Sequence, residues 1–166
     1  MNASRSDIFL RVQTRRAGEV KGEAATDGHV GEIELQSWGW GVSASSAIGA
    51  MGAAERRSYT QLIVQKGIDS ASTGLLNALA GNDEVKQAVL TMRKAGGEAL
   101  DYIKLELSDG LISSVSTGAT KGDDRLTETI TLNFASFKYE YTPQDAKGVG
   151  GGAVPAQWNM AKNAEK

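Results

Sequence analysis

The segment 30–42 constrains this chain more than any other, because its apolar residues change parity partway along. Ile33 and Leu35 are odd, whereas Trp38, Trp40 and Val42 are even. Side chains alternate across a strand, so a regular strand would send these two groups to opposite faces of a sheet. One extra residue near Gln36-Ser37, a β-bulge, realigns them, bends the strand and raises its twist. A second change of parity lies downstream, where Leu126, Ile130, Leu132 and Phe134 are even and Phe137, Tyr139 and Tyr141 are odd. Two long bent strands are what a sheet needs to close on itself, and they predict a barrel.

Other segments supply further strands. Ile8, Leu10 and Val12 alternate with Phe9, Arg11 and Gln13, and a Gly-rich charged loop over 18–31 separates this strand from the bent one. Residues 59–66, containing Leu62-Ile63-Val64, read as a buried strand. Residues 84–93 satisfy both helical and strand spacing. They are read as a strand because Gly96-Gly97 follows as a turn into the alternating run 100–108. Asp109-Gly110 resembles a hairpin turn, yet continuation through 111–117 beyond a bulge is preferred. The loop 118–125, with its Gly and Asp residues, is the better hairpin into the strand 126–141. After a Gly-rich connector at 148–152, Val154, Ala156, Trp158 and Met160 alternate as a closing strand, and 162–166 is a polar tail. Ser72 is placed to cap one short helix running to Ala80, with Leu75, Leu76 and Leu79 on its packed face and Gly81-Asn82 ending it. The expected fold is mainly β: one domain over 1–166, an antiparallel β-barrel of roughly eight strands with one short α-helix.

Composition narrows the function. The chain has 166 residues, no cysteine, and a formal net charge of −2. It is long enough for one core without disulfides, and thiolate metal sites and thiol catalysis are excluded. A near-neutral balance argues against nucleic acid or anionic lipid as partner. No apolar stretch approaches a membrane span and none near Met1 resembles an export signal, so synthesis in the cytoplasm without membrane insertion is expected. His29, the one histidine, lies in a charged loop beside Asp27 and reads as a solvated residue. No metal, cofactor, phosphate loop or activated serine is expected, and the chain is read as not an enzyme. Acidic side chains are read as solvated strand faces.

Trp38, Trp40 and Trp158 could stack on a sugar, but Trp38 and Trp40 share parity and are read as core. Each buried indole removes about 150–250 Å² from water, worth roughly 4–6 kcal/mol before entropy costs. Gly39 between them then faces the other side of the sheet and leaves room for another molecule. The run 43–57 is rich in small residues and has little periodicity, so it reads as a contact arm.

These segments together resemble the haemolysin-coregulated protein (Hcp) family, the tube subunit of the bacterial type VI secretion system. The resemblance rests on Asp7-Ile8-Phe9-Leu10, Gly31-Glu32-Ile33, Ser37-Trp38-Gly39-Trp40-Gly41-Val42, Arg93-Lys94-Ala95-Gly96-Gly97 and Val115-Ser116-Thr117-Gly118. It continues through Asp124-Arg125-Leu126-Thr127-Glu128, Thr131-Leu132-Asn133-Phe134-Ala135 and Trp158-Asn159. It implies a homohexameric ring that stacks into a hollow tube, is expelled by a contractile sheath behind a spike, and carries or chaperones effectors to the exterior or a target cell. It implies further that Gly39 faces the lumen and cargo. The extended loop with Ser43, Ala47, Ile48, Met51, Arg56 and Arg57 would reach neighbouring subunits and rings, and Thr120 would lie on the stacking surface. Thr73-Gly74 stands where that family commonly has Pro. The rival reading is a monomeric β-barrel that binds a small ligand or glycan.

Overall fold

The computed structural model describes residues 7–45, 56–94, 99–122, 124, 126–144 and 150–160, without the side chains of 44, 45, 56 and 57. The described elements run β1 (Asp7–Thr14), β2 (Glu19–Val20), β3 (Ile33–Glu34), β4 (Ser37–Gly39), β5 (Val42–Ser45), β6 (Arg56–Tyr59) and β7 (Leu62–Gly67). They continue with α1 (Ala71–Ala80), β8 (Val85–Lys94), β9 (Leu100–Gly118), β10 (Thr127–Tyr141) and β11 (Val154–Asn159). All strand pairs are antiparallel, and the sheet runs β2-β1-β8-β9-β10-β7-β4, with β3 on β1 and β11 on β10.

The parity change at 30–42 has a different cause from the bulge expected of it. The segment breaks at Leu35-Gln36 and changes partner: Ile33 pairs with Leu10 of β1, whereas Trp38 pairs with Val64 of β7. Between them the Leu35 amide donates to the Ile8 carbonyl at 2.9 Å and the Gln36 amide to the Gln65 carbonyl at 2.7 Å. This one stretch therefore joins the two ends of the sheet and closes the barrel. Ile33 stays buried, and Leu35, Trp38 and Trp40 pack against the same core.

The second parity change is a kink shared by two strands. Leu105 and Leu107 of β9 lie opposite Tyr139 and Phe137 of β10, while Ile112 lies opposite Leu132, and all of them face the core. The step of five residues occurs on both strands at the same level, so the register does not shift there. Asp109 sits at that level with φ 55, in the left-handed region. Just beyond it Gly110 passes so close to the Asn133 carbonyl and the Phe134 ring that a Cβ would collide with both. A true bulge follows, where the register shifts between Thr131 and Leu132 and Ser113 is the extra residue of β9. Asp109-Gly110 is thus no hairpin, and 111–117 continues one strand as preferred. The hairpin lies at 118–126, and β8 is a strand.

The closed sheet wraps a core of Leu10, Val12, Ile33, Leu62, Val64, Leu90, Leu105, Leu107, Ile112, Ile130 and Leu132. Helix α1 lies against β9 and β2 and buries Ala71, Leu75 and Ala78, whereas Leu76 is 52% exposed, so the packed face is rotated from the expected one. Its start also differs. Ser70 is the cap position without a side-chain cap bond, and Asp69 Oδ1 accepts from the Ala71 amide at 2.9 Å. Ser72 bonds elsewhere, as described below.

Two more expectations are corrected. Residues 43–57 are not loop throughout: their ends form the ribbon β5–β6, with Ser43 opposite Ser58 and Ser45 opposite Arg56. The arm residues Ala47, Ile48 and Met51 lie outside the described residues. The closing strand pairs with the second half of β10, Trp158 opposite Phe137, but Val154 is 62% exposed and Ala156 is exposed too. Within the connector, Gly150 bridges to Gln144, while 148–149 and the tail 162–166 lie outside the described residues.

Candidate functional site

Strand register fixes what surrounds Gly39. Gly39 lies opposite Ile63, Ile63 opposite Thr131, and Thr131 opposite Ser114. One row away, Ser37, Gln65, Thr129 and Ser116 align in the same way. Leu62, Val64, Ile130, Leu132 and Val115 point to the core, so these rows form the opposite face. Ile63 is 47% exposed, which corrects the reading of Leu62-Ile63-Val64 as buried throughout. A Cβ built at Gly39 meets nothing within 4 Å, so the surface beside Ile63 is open. The rows hold no charge, in a chain where 23% of residues are charged. The Ser37 hydroxyl donates to Gln65 Oε1 at 3.2 Å, and that of Ser113 to the Thr131 carbonyl at 3.2 Å.

Past the Asp109 kink the outer face of the same two strands changes character. Lys104 lies opposite Glu140 and Glu106 opposite Lys138. Lys104 also bonds Glu106 at 3.1 Å and Lys138 bonds Glu140 at 2.7 Å, giving a lattice of alternating sign. The Glu140 hydrogen bond and charge, with Glu106 behind, hold the Lys138 ammonium above its ordinary pKa.

Two buried polar groups were not legible as such. His29 is no solvated loop residue: its ring stacks on Phe9, centroids 4.2 Å apart and planes 5° from parallel. Its Nδ1 lies 2.8 Å from Glu32 Oε2 and its Nε2 3.2 Å from Asp101. Arg93 completes the cluster, donating through Nε to Asp101 at 2.8 Å and through Nη1 to the Asp27 carbonyl at 2.7 Å. The loop after β2 is thereby fastened over the outer face of β1 and β8. Burial pushes the Asp101 carboxyl up, but hydrogen bonds from Arg93 and His29 and their charges outweigh it, and its pKa falls below the usual value.

Lys66 and Glu128 are buried as well, which corrects the reading of the acidic residues as solvated. Lys66 Nζ donates to Glu128 Oε2 at 2.6 Å, to Ser72 Oγ at 3.0 Å and to the Gly67 carbonyl at 2.9 Å, and lies 2.9 Å from Asp69 Oδ1. Ser72 Oγ in turn donates to Glu128 at 2.7 Å. These bonds tie the start of α1 to β7 and β10. The signal was the register: Lys66 shares parity with Leu62 and Val64, and Glu128 with Ile130 and Leu132.

Among the described residues no group of three His, Cys, Asp or Glu side chains could hold a metal ion. Among these residues no helix is long and apolar enough to cross a membrane. Trp38 and Trp40 are half-buried and packed on the core, Trp38 Nε1 donating to Met92 Sδ at 3.1 Å and Trp40 meeting Phe137 edge-on at 4.8 Å. Of the residues singled out by sequence, Gly39, Ser43 and Thr120 are exposed at separate places on β4, β5 and the 118–126 hairpin, and Arg56 and Arg57 lie on β6.

The family model described as type VI secretion system effector, Hcp, matches residues 9–141, which run from β1 to the end of β10 and include both buried clusters. The chain belongs to the Hcp family. Protein hcp1 of Pseudomonas aeruginosa is 40% identical over 163 residues, covering 96% of this chain and 98% of that protein. A solved type six secretion system protein superposes with a TM-score of 0.87 at 27% identity, covering 98% of this chain and all of that one. Hcp1 from Salmonella typhimurium gives 0.77 at 31% identity, covering 97% of this chain and 99% of that one. This Hcp chain is a tube protein of type VI secretion, a structural and secreted component, and Hcp proteins form hexameric rings in that system.

Proposed function

We propose that this chain works by shape, as one domain repeated sixfold in a ring, the rings stacking into a hollow tube that a contractile sheath drives outward behind a spike. Gly39 and its rows line the lumen, where effector proteins are carried. The ribbon β5–β6 and the arm beyond it, with Ser43, Ala47, Ile48, Met51, Arg56 and Arg57, reach neighbouring copies, and Thr120 meets the next ring. The chain is made in the cytoplasm, leaves with the tube, and catalyses nothing.

The observation that carries this reading is the pairing of a family match along the barrel with uncharged outer-face rows that start from a glycine with open space above it. An isolated two-stranded ribbon is marginal by itself, and docking on a second copy would bury further surface of β5–β6. A stable contact between copies should bury on the order of 1,600 Å². Size-exclusion chromatography with light scattering and negative-stain electron microscopy test the assembly. Hexameric rings are expected, and a monomer at micromolar concentration would end the proposal. Gly39→Gln should leave rings intact and reduce effector retention; unchanged retention would remove Gly39 from the lumen wall.

A further inference from the structure

We infer that the lumen wall selects passengers through uncharged contacts, and that Ile63 is its specificity-determining residue, gripping a neutral, apolar-bearing patch on the passenger. This rests on the reading of Gly39 as lumen-facing, because register places Ile63 directly beside it on the same face.

The face offers Ile63 at 47% exposure with bare backbone next to it, so a partner can reach the isoleucine from the Gly39 side without steric obstruction. Everything aligned with it on β10 and β9 is Ser or Thr, and the next row adds only Ser, Gln and Thr. A charged group pressed against such a wall loses water and finds no countercharge, so charged passenger patches are disfavoured. A neutral patch loses little, and its apolar side chains gain by covering Ile63. On this outer face the same strands do carry charges, but beyond the Asp109 kink, where Lys104, Glu106, Lys138 and Glu140 neutralise one another. The bend therefore divides one pair of strands into an uncharged field and a charged one.

The test uses assembled rings and a dye-labelled peptide of Ser, Thr and Gln bearing two Leu, with versions in which Lys or Glu replaces the Gln residues. Fluorescence anisotropy is read between about 0.1 and 1 M salt, a range over which the Debye length falls from about 10 to about 3 Å. The neutral peptide should bind best and independently of salt. Ile63→Ser should weaken it about tenfold and Ile63→Leu should restore it. Equal binding to wild type and Ile63→Ser, preference for a charged peptide, salt-dependent binding, or no binding by any peptide would each overturn the inference while rings remain and the tube reading stands. Rings that fall apart in Ile63→Ser while wild type holds would make this face a subunit contact and overturn it too. Wild type that forms no rings removes the tube reading itself.

Discussion

Lys66 and Glu128 form an ion pair of 2.6 Å inside the barrel wall, on adjacent strands and both out of reach of water. Removing one partner leaves the other charge buried and unpaired, which costs far more than the pair contributes net. Lys66→Ala should lower stability by about 3–5 kcal/mol in urea denaturation. The double variant Lys66→Met with Glu128→Leu should recover most of that loss. A double variant as unstable as the single one would contradict the account.

Gly110 is required by close approach. Gly110→Ala drives a methyl group into the Asn133 carbonyl and the Phe134 ring and should cost about 3 kcal/mol. Gly118→Ala, where nothing lies within 4 Å, should stay within about 0.5 kcal/mol. Thermal unfolding of the two variants side by side measures the contrast.

His29 fastens its loop by both stacking and polar contacts. His29→Ala should lower stability by about 2 kcal/mol and open the outer face of Phe9. His29→Phe keeps the stack and loses the bonds to Glu32 and Asp101, so it should fall between Ala and wild type in the urea midpoint.

Acid should weaken the fold through Asp101 and Asp83. Burial pushes Asp83 up, but the Ala17 and Arg16 amides, the Thr14 hydroxyl and the Arg16 charge outweigh it, so both carboxyls have folded pKa values below the ordinary one. A carboxyl depressed on folding contributes stability that is present above its unfolded value of about 3.9 and lost as pH falls through the folded value. Urea midpoints should therefore hold near neutral pH and drop below about pH 4. Asp83→Asn should be less stable at neutral pH and show a shallower drop.

The arm should be separable from the barrel. Deleting residues 47–54 leaves every described core residue in place, so the melting temperature should hold within a few degrees, about 1 kcal/mol or less. Electron micrographs should show shorter stacks or fewer rings, and normal tubes would exclude the arm from assembly.

The sequence by itself determined the strands and the need for bends, because alternation is local and a change of parity is visible wherever apolar residues line one face. It also determined that Gly39 opposes the tryptophans. Only the tertiary structure decided how each bend is made. At 30–42 the strand exchanges β1 for β7, and at Asp109 two strands kink together, and parity alone cannot distinguish either from a bulge. It alone decided the fates of His29, Lys66 and Glu128. Their types favour water, and they are buried because partners distant in the chain satisfy them there, Phe9 and Asp101 for His29, and Lys66 and Glu128 for each other, 62 residues apart.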